Sequence, residues 1–367
     1  MTTFFFRRSV EKAFQLDEQP PGLTLDSKIP IAGNPPYITS AVDDVMYVVN
    51  QMIERCLATS QTAVVTSVIP TIARILGSDF IGMIQRKMRD ESYPKGAVQG
   101  VPPPEHTTIA FLVLINNLDM AKDYVLRIVD SRLTGTSEFG MVGSIAKSFP
   151  LNGDAAVVSN NLRSLASSFT AKASELIRDG NFVVFQNIIK PRLRPMIAEA
   201  FREVDYQMTQ EEVEEMMATA EIEGRHQDSS DNIVQERFRH GWQFVTKPLA
   251  RLLTERSWEQ LLSLVASYLG EVLEKRIWSY YGRLEEVGGA RLERDILAIV
   301  GLVVKGGDYN LREAFARPTQ ICLVMNTEAE EWDDMMNAGE ADKGGQIKWQ
   351  LDTEERLRAR GIIYGKV

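Results

Sequence analysis

The stretch over residues 40–60 reads SAVDDVMYVVNQMIERCLATS, and its spacing decides the fold class. Apolar residues recur in it at intervals of three and four, which is typical of one buried face of an α-helix. The residues of this face are Val42, Val45, Met46, Val49, Met52, Ile53 and Leu57. Ser40 is placed to cap the helix, with Asp43 reaching back from three residues on. Asp43 and Asp44 also lie where the helix dipole favours negative charge, so we interpret all three as a helix start.

Helical spacing continues through most of the chain. It covers residues 61–90, 107–133, 154–179, 233–281 and 290–304. Segments rich in proline and glycine separate these patterns, and the alternation typical of strands is limited to short stretches such as 181–185. No repeat of solenoid length is present. The sequence therefore predicts an all-α protein, an elongated helical rod or bundle whose long helices are joined by loops.

The pattern of breaks predicts four regions. Residues 1–19 are expected to end an upstream helical domain, and residues 20–39, with five prolines in the stretch, to form a linker. Residues 40–305 are expected to form a helical rod domain, and residues 306–367 a small C-terminal helical domain. The segment 206–232 is polar and acidic, which is typical of a solvated helix or a mobile loop.

Composition narrows the class of partner. The 367 residues are 44% hydrophobic and 25% charged, with a net charge of −9, which disfavours nucleic acid as the main partner. Cys56 and Cys322 both lie in apolar helical patterns and predict two buried thiols in a reducing compartment. No apolar run reaches the roughly 20 residues that span a membrane. The basic pair Arg7-Arg8 follows the first apolar cluster, unlike a secretory signal. We expect a cytosolic protein that meets membranes only through partners.

Catalytic and metal-binding patterns are weak. His106, His226 and His240 do not stand at metal-ligand spacing from each other or from a cysteine. The glycine pairs are not followed by the lysine and hydroxyl residue of a phosphate-binding loop. We therefore nominate no catalytic, cofactor-binding or metal-ligating residue, and we expect no enzyme and no cofactor.

One basic cluster allows two interpretations. Lys190, Arg192 and Arg194 alternate with apolar residues and prolines. They could contact an anionic lipid or an acidic partner. The simpler interpretation is a helix start with solvated side chains, which we favour because a short basic cluster adds little membrane affinity.

The terminal region offers a second polar group. Arg317 follows Phe315, and Trp349 and Leu351 precede a short charged helix that carries Glu354 and Glu355. A small domain has to neutralise any charge it buries, so we predict that Arg317 pairs with one of these glutamates over a core of Phe315, Trp349 and Leu351. The alternative is that the charges are exposed and independent. Pro318 disfavours helix at Arg317 itself.

Several motifs, in order along the chain, resemble one known family, subunit 4 of the conserved oligomeric Golgi complex. The matching segments are Phe5–Asp17, Ser40–Tyr47, Ser78–Phe80, Lys87–Arg89, Phe111–Asn117, Lys190–Ile197, Phe315–Arg317 and Trp349–Glu355. They match the C-terminal half of that family alone, so the N-terminal half is expected to be missing from this chain.

The resemblance implies a helical-rod fold of the multisubunit tether (CATCHR) type without catalysis. It implies a peripheral protein on the cytosolic face of the Golgi membrane, serving vesicle tethering, retrograde intra-Golgi transport and Golgi glycosylation homeostasis as a scaffold. The implied partners are the other subunits of the complex, with SNAREs and a Sec1-type regulator bound mostly through the missing half. Arg317 and Glu355 fall on positions that the family uses for an ion pair.

Two other classes of function stay open. A helical enzyme of unknown type would be favoured by a deep pocket lined with convergent titratable groups. A cytosolic helical adaptor unrelated to tethering would be favoured by stacked helix pairs of uniform size.

Overall fold

The structure is a computed structural model, and its described residues are almost entirely helical. It describes residues 2–96, 102–134, 136–137, 140–141, 145–151, 153–212, 215, 232–305, 309–332 and 348–363. Within those ranges, extended pairing amounts to a hairpin of Thr136–Ser137 with Gly140–Met141 and a bridge between Leu284 and Ile363. The predicted all-α class is confirmed.

The helices are long and mostly follow the predicted periodic segments. In chain order they are α1 (Thr2–Gln15), α2 (Ser40–Ala58), α3 (Thr62–Ile75), α4 (Ile81–Arg86), α5 (Glu105–Thr134), α6 (Ile145–Ser148), α7 (Asp154–Val184), α8 (Lys190–Ala200), α9 (Ile233–Ala250), α10 (Glu255–Trp278), α11 (Glu286–Val304), α12 (Ala316–Asn326) and α13 (Thr353–Arg360). Turns of π-helix at Leu76–Phe80, Lys87–Glu91 and Phe185–Ile189 prolong α3, α4 and α7, and a 3₁₀ turn at Tyr309–Phe315 precedes α12. Residues 181–184, which suggested a strand, are helical because they continue α7.

The chain divides into two compact units, and their limits differ from the four predicted regions. The first unit comprises Met1–Ile188 and Lys247–Gln260, and the second comprises Ile189–Thr246 and Leu261–Val367. Residues 1–19 belong to the first unit because α1 packs on α2 and α3. Residues 306–367 fall within the second unit, where α12 packs on α11 and on α13. Most of the acidic segment 206–232 lies outside the described residues.

The predicted linker at residues 20–39 has no regular secondary structure, but it is anchored at several points. The Glu105 carboxylate accepts hydrogen bonds from Thr24 Oγ1 at 2.8 Å and from the Leu25 amide at 2.7 Å. The Arg251 guanidinium donates to the carbonyl of Ile29 at 2.9 Å. Tyr37 is buried. The segment is a packed loop of the first unit. Its prolines indicate a backbone without regular secondary structure, not a flexible linker.

The first unit is organised around α5. From Thr108 to Lys122 this helix is buried on nearly every side, and it packs along α7 and against α2. A helix that is apolar all round has to be central, because no face of it gains from water. Sequence periodicity placed this helix correctly, and its all-round burial explains why FLVLINNL lacks a polar stripe.

The continuous helix Thr62–Glu91 is long and apolar enough to cross a membrane by length and composition. The expectation that no such run exists was wrong, because scattered Thr, Ser and Arg residues interrupt the run without lowering its average enough. Its buried residues fall on one stripe that faces the interior of the first unit: Val65, Ile69, Ile72, Ile75, Leu76, Phe80, Ile81, Ile84 and Met88. Such a stripe is typical of a core helix.

The start of α2 differs from the predicted capping box. Thr39 is the N-cap residue and Ser40 is the first helical residue, with no side-chain cap. Asp17, two residues after the end of α1, instead accepts a hydrogen bond from the Ala41 amide at 3.1 Å and forms an ion pair with Lys87 Nζ at 2.8 Å. Asp17, which is distant in sequence but close in space, supplies the negative charge that a helix N-terminus favours, so a cap from a neighbouring residue is not needed.

The two acidic residues of the predicted cap have different surroundings. Asp43 accepts a hydrogen bond from the Tyr124 hydroxyl at 3.0 Å instead of reaching back to the backbone. Burial, together with this bond, raises the pKa of Tyr124. Asp44 is exposed. Asp43 therefore ties α2 to α5 and does not close α2 on itself.

The second unit has its own core. Phe238, Leu269, Ile299 and Phe315 are fully buried in it, and Cys322 is buried with them. Both cysteines are free, as predicted, and burial raises the pKa of both thiols. An unreactive neutral thiol is what such an apolar site favours.

Two glycines of α11 make a matched pair for a stability test. A Cβ at Gly288 would overlap the backbone carbonyl of Tyr206, whereas a Cβ at Gly301 would meet open space. We expect Gly288→Ala to lower the free energy of unfolding by about 2 kcal/mol, because backbone has to move. Gly301→Ala should raise it by about 0.5 kcal/mol through the better helix propensity of alanine. Urea denaturation measures both, and equal effects of the two substitutions would show that this helix contact is not close.

Candidate functional site

The guanidinium of Arg317 lies between two carboxylates from other helices of the second unit. Its Nη2 donates to Glu355 Oε1 of α13 at 2.6 Å and to Glu274 Oε1 of α10 at 2.9 Å. Its Nε donates to Glu274 Oε2 at 3.1 Å, and its Nη1 donates to the carbonyl of Gln350 at 3.1 Å. One side chain therefore joins α10, α12, α13 and the segment that leads into α13.

Arg317 occupies a helical position despite Pro318. It is the second residue of α12, and the proline is the third. The first-turn amides of a helix have no intrahelical partner, so a proline there removes a donor that the helix does not use. The expectation of a non-helical Arg317 was wrong for this reason. The helical first turn holds the Arg317 backbone in a fixed conformation close to both glutamates.

Glu355 serves two purposes at the start of α13. Its backbone amide donates to Asp352 Oδ1 at 2.8 Å, and its carboxylate accepts from the Asp352 amide at 3.0 Å, which makes a capping box. The same carboxylate binds Arg317. The hydrogen bond from Arg317 holds the pKa of Glu355 below its ordinary value, and the bonds to Glu274 and Glu355 raise the pKa of Arg317. Helix start and interhelical contact are therefore coupled through one carboxylate.

The segment before α13 is fixed by a second polar side chain. Gln320 of α12 donates to the carbonyl of Lys348 at 2.8 Å and accepts from the Gln350 amide at 2.8 Å. Leu351 is buried, whereas Trp349 is only partly buried, under the Arg356 guanidinium at 5.0 Å. Of the predicted core residues of the terminal region, Phe315 and Leu351 are buried in the core and Trp349 lies at its edge.

The first unit contains a comparable hydrogen-bond network made of neutral groups. Asn116, fully buried in α5, donates to the carbonyl of Tyr37 at 3.0 Å and to that of Leu252 at 2.7 Å. Its Oδ1 accepts from the Thr254 amide at 3.0 Å. A buried amide that satisfies three backbone groups fixes the loop before α2 and the turn between α9 and α10 against α5.

The residues that follow Asn116 extend this network. Asn117 and Thr39 exchange two hydrogen bonds of 2.9 Å, from the Thr39 amide and from Asn117 Nδ2. Asp119, also buried, accepts from Thr254 Oγ1 at 2.8 Å and from Arg256 at 3.1 Å. The polar residues at the middle of an apolar helix are therefore all engaged in structure.

The basic cluster of α8 is partly engaged in its own unit. Lys190 lies 5.4 Å from the ring centre of Tyr268, and Arg194 Nε donates to the Tyr268 hydroxyl at 3.0 Å. Arg192 is half-buried, and burial lowers its pKa. Tyr268 thus gathers two of the three side chains onto α10, which favours the structural interpretation of the cluster.

These arrangements hold backbone and side chains in place, and none of them presents an activated nucleophile or a general base. Among the described residues, no group of three or more His, Cys, Asp or Glu side chains is placed to hold a metal ion. The sequence interpretation brought Arg317 and Glu355 together but missed Glu274, which stands among ordinary helix-surface charges and gives no signal. Asn116 gave a signal that was not used: adjacent amides inside an apolar helix have to be paired.

The fold and the site together define an all-α protein of two helical units, each closed by a buried or half-buried polar network. Comparison with family models identifies its class more closely. Residues 111–358 match the family described as conserved oligomeric Golgi complex subunit 4, C-terminal, and residues 1–88 match that described as COG4 transport protein, middle alpha-helical bundle. The chain belongs to the family of conserved oligomeric Golgi complex subunit 4.

Curated proteins named conserved oligomeric Golgi complex subunit 4 are similar to the chain in plants, fungi and animals. The protein of Arabidopsis thaliana is 25% identical over 98% of the chain and 43% of its own length. That of Saccharomyces cerevisiae is 24% identical over 69% of the chain and 30% of its length, and that of Homo sapiens is 23% identical over 89% and 40%. The chain thus spans less than half the length of these relatives.

Removing the shared guanidinium should weaken the second unit. Arg317→Ala leaves Glu274 and Glu355 without their cation, so we expect the free energy of unfolding in urea to fall by about 2 kcal/mol. The matched control is Arg239→Ala, since Arg239 forms an exposed pair with Glu236 at 3.2 Å. That control should change stability by less than about 0.5 kcal/mol. Equal losses in the two variants would contradict a special role for Arg317.

Acid should remove part of this stabilisation. Because the folded pKa of Glu355 is lowered, its contribution is fully present above the unfolded value of about 4.3 and is lost as the pH falls through the folded value. Glu355→Gln should therefore be less stable than the unsubstituted chain at about pH 7, with the difference shrinking below about pH 4. Urea midpoints at both pH values measure this. A stability difference that does not change with pH would contradict a lowered pKa of Glu355 in the folded state.

Proposed function

We propose that this chain is the helical C-terminal part of a non-catalytic subunit of a Golgi vesicle-tethering complex. In this proposal it acts as a protein-interaction scaffold in retrograde intra-Golgi transport and in Golgi glycosylation homeostasis. Its partners are the other subunits of the conserved oligomeric Golgi complex. It reaches the cytosolic face of the Golgi membrane peripherally, through those partners.

The observation that carries the proposal is the match of two family models, over residues 1–88 and 111–358, to the same subunit. The structure supports it through the kind of site that it contains. The polar groups that a catalyst would use are engaged in joining helices: Arg317 with two glutamates, and Asn116 with three backbone groups. A protein that presents surfaces to partners needs helices held in fixed register.

The proposal also includes contacts with SNAREs and with a Sec1-type regulator. The relatives are more than twice as long as the matched region, and we assign these contacts mostly to the part of the subunit that this chain does not include. Neither the helical enzyme nor the unrelated adaptor is favoured, because both reported family models describe the same subunit of the conserved oligomeric Golgi complex.

The proposal predicts a glycosylation phenotype. In cells depleted of the endogenous protein, the full-length protein lacking residues 306–367 should fail to restore Golgi glycosylation, read by lectin binding at the cell surface. Arg317→Ala in the full-length protein should restore glycosylation only in part, because α12 and α13 are held together less firmly without the guanidinium. Arg239→Ala should restore glycosylation fully.

The matched readout is the composition of the purified assembly. The tagged full-length protein should co-purify the other subunits of the complex. Normal glycosylation after the deletion, or a purified protein without sister subunits, would contradict the proposal.

A further inference from the structure

The end of α10, the turn after it and the last turn of α13 carry a group of one arginine, two aromatic residues and one leucine, of which the tryptophan is partly buried and the others are exposed. We call it the Arg358 patch, and its members are Trp278, Tyr281, Leu357 and Arg358. Tyr281 is 47% exposed and Leu357 is 52% exposed. Tryptophan, tyrosine and arginine are the side chains most enriched among the residues that dominate protein interfaces.

Arg358 is held by stacking alone. Its Cζ lies 4.8 Å from the ring centre of Trp278 and 5.7 Å from that of Tyr281. Within the described part of the chain its guanidinium makes no hydrogen bond or ion pair. Stacking over a ring face leaves the edge of the guanidinium, with its five N–H donors, available for an acceptor.

The rings under Arg358 are themselves fixed. Trp278 Nε1 donates to Glu274 Oε1 at 3.4 Å, and Glu274 is held in turn by Arg317. The segment that carries Tyr281 is bound to the end of α13 by a hydrogen bond of 3.1 Å from the Gly282 amide to the Gly361 carbonyl. The patch is therefore organised before any partner arrives, which reduces the entropy that binding costs.

The surrounding charges favour a short peptide over a membrane. Arg283 is exposed and stacks on Tyr280 at 5.9 Å, and the exposed residues Glu285 and Glu354 lie on the same two segments. Because acidic side chains are interspersed with the basic ones on these segments, attraction to an anionic bilayer is weak, since it grows with the number of uncompensated basic residues. A single carboxylate, in contrast, matches the planar fork of Arg358 in geometry and charge.

We propose that the Arg358 patch binds a short acidic segment of a partner protein. One carboxylate of that segment accepts two hydrogen bonds from Arg358, and a neighbouring aliphatic side chain packs on Tyr281 and Leu357. This inference rests on the proposed scaffold role, because a scaffold needs a surface that binds partners. The scaffold role does not specify which surface binds or what chemistry its ligand has, and the Arg358 patch specifies both.

The test uses the purified chain and three fluorescein-labelled peptides of the same length. One peptide alternates glutamate and leucine pairs with glycine and serine, the second has glutamine for glutamate, and the third has alanine for leucine. We expect saturable binding of the first peptide by fluorescence anisotropy and at least tenfold weaker binding of the other two. Arg358→Gln should weaken the first peptide by about tenfold, the loss of one charge-assisted pair.

Two further variants keep the test independent of folding. Leu357→Ser alters an exposed side chain of the patch and should also weaken binding. Arg356→Gln is the matched control on the same helix, because Arg356 stacks on Trp349 and donates to Thr353 Oγ1 at 3.1 Å. It should bind the peptide as the unsubstituted chain does, and all variants should keep the unsubstituted melting temperature.

Three results would overturn the proposal: no binding of the glutamate–leucine peptide, equal binding by Arg358→Gln, or loss of binding in Arg356→Gln. Binding to phosphatidylserine vesicles that depends on Arg358, without peptide binding, would identify a lipid site instead. Failure of peptide binding with normal glycosylation would count against the patch alone. Peptide binding without rescue of glycosylation would count against the Golgi role alone.

Discussion

The second unit depends on the guanidinium of Arg317. Three segments distant in sequence, α10, α12 and α13, meet where its N–H groups find the carboxylates of Glu274 and Glu355. These side chains are 19–34% exposed, so the pair is shielded enough to be strong but does not carry the full cost of desolvation. Glu355 also caps α13, so loss of the cation affects a helix start as well as a contact.

In the first unit, segments that are distant in sequence are joined by neutral polar groups. Asn116 sits at the middle of α5, where no face is exposed to water, and it pairs with backbone groups from both ends of the unit's sequence. Hydrogen bonds of this kind contribute modestly when made and cost much when a buried partner is left alone. In both units, the apolar faces of the helices could pack in more than one alignment. A polar side chain with specific partners favours one of these alignments.

Periodicity was sufficient to predict the helices, because apolar spacing in long segments such as α5 and α7 is unambiguous. It failed at boundaries set by tertiary contacts. The cap of α2 comes from Asp17, two residues after the end of α1, and α1 packs in the same unit as α2, although the sequence pattern separated the two. Arg317 and Glu355 could be predicted as a pair through the resemblance. Glu274 could not, since the angular position that turns it toward Arg317 depends on how α10 packs.

A double-mutant cycle tests most directly whether Arg317 joins the three helices. The cycle combines Arg317→Ala with Glu274→Ala and, separately, with Glu355→Ala, and measures urea unfolding of the purified chain. A shared guanidinium predicts a coupling free energy of about 1 kcal/mol or more for each pair. Coupling below about 0.3 kcal/mol in both cycles would show that the charges act independently and would contradict the account.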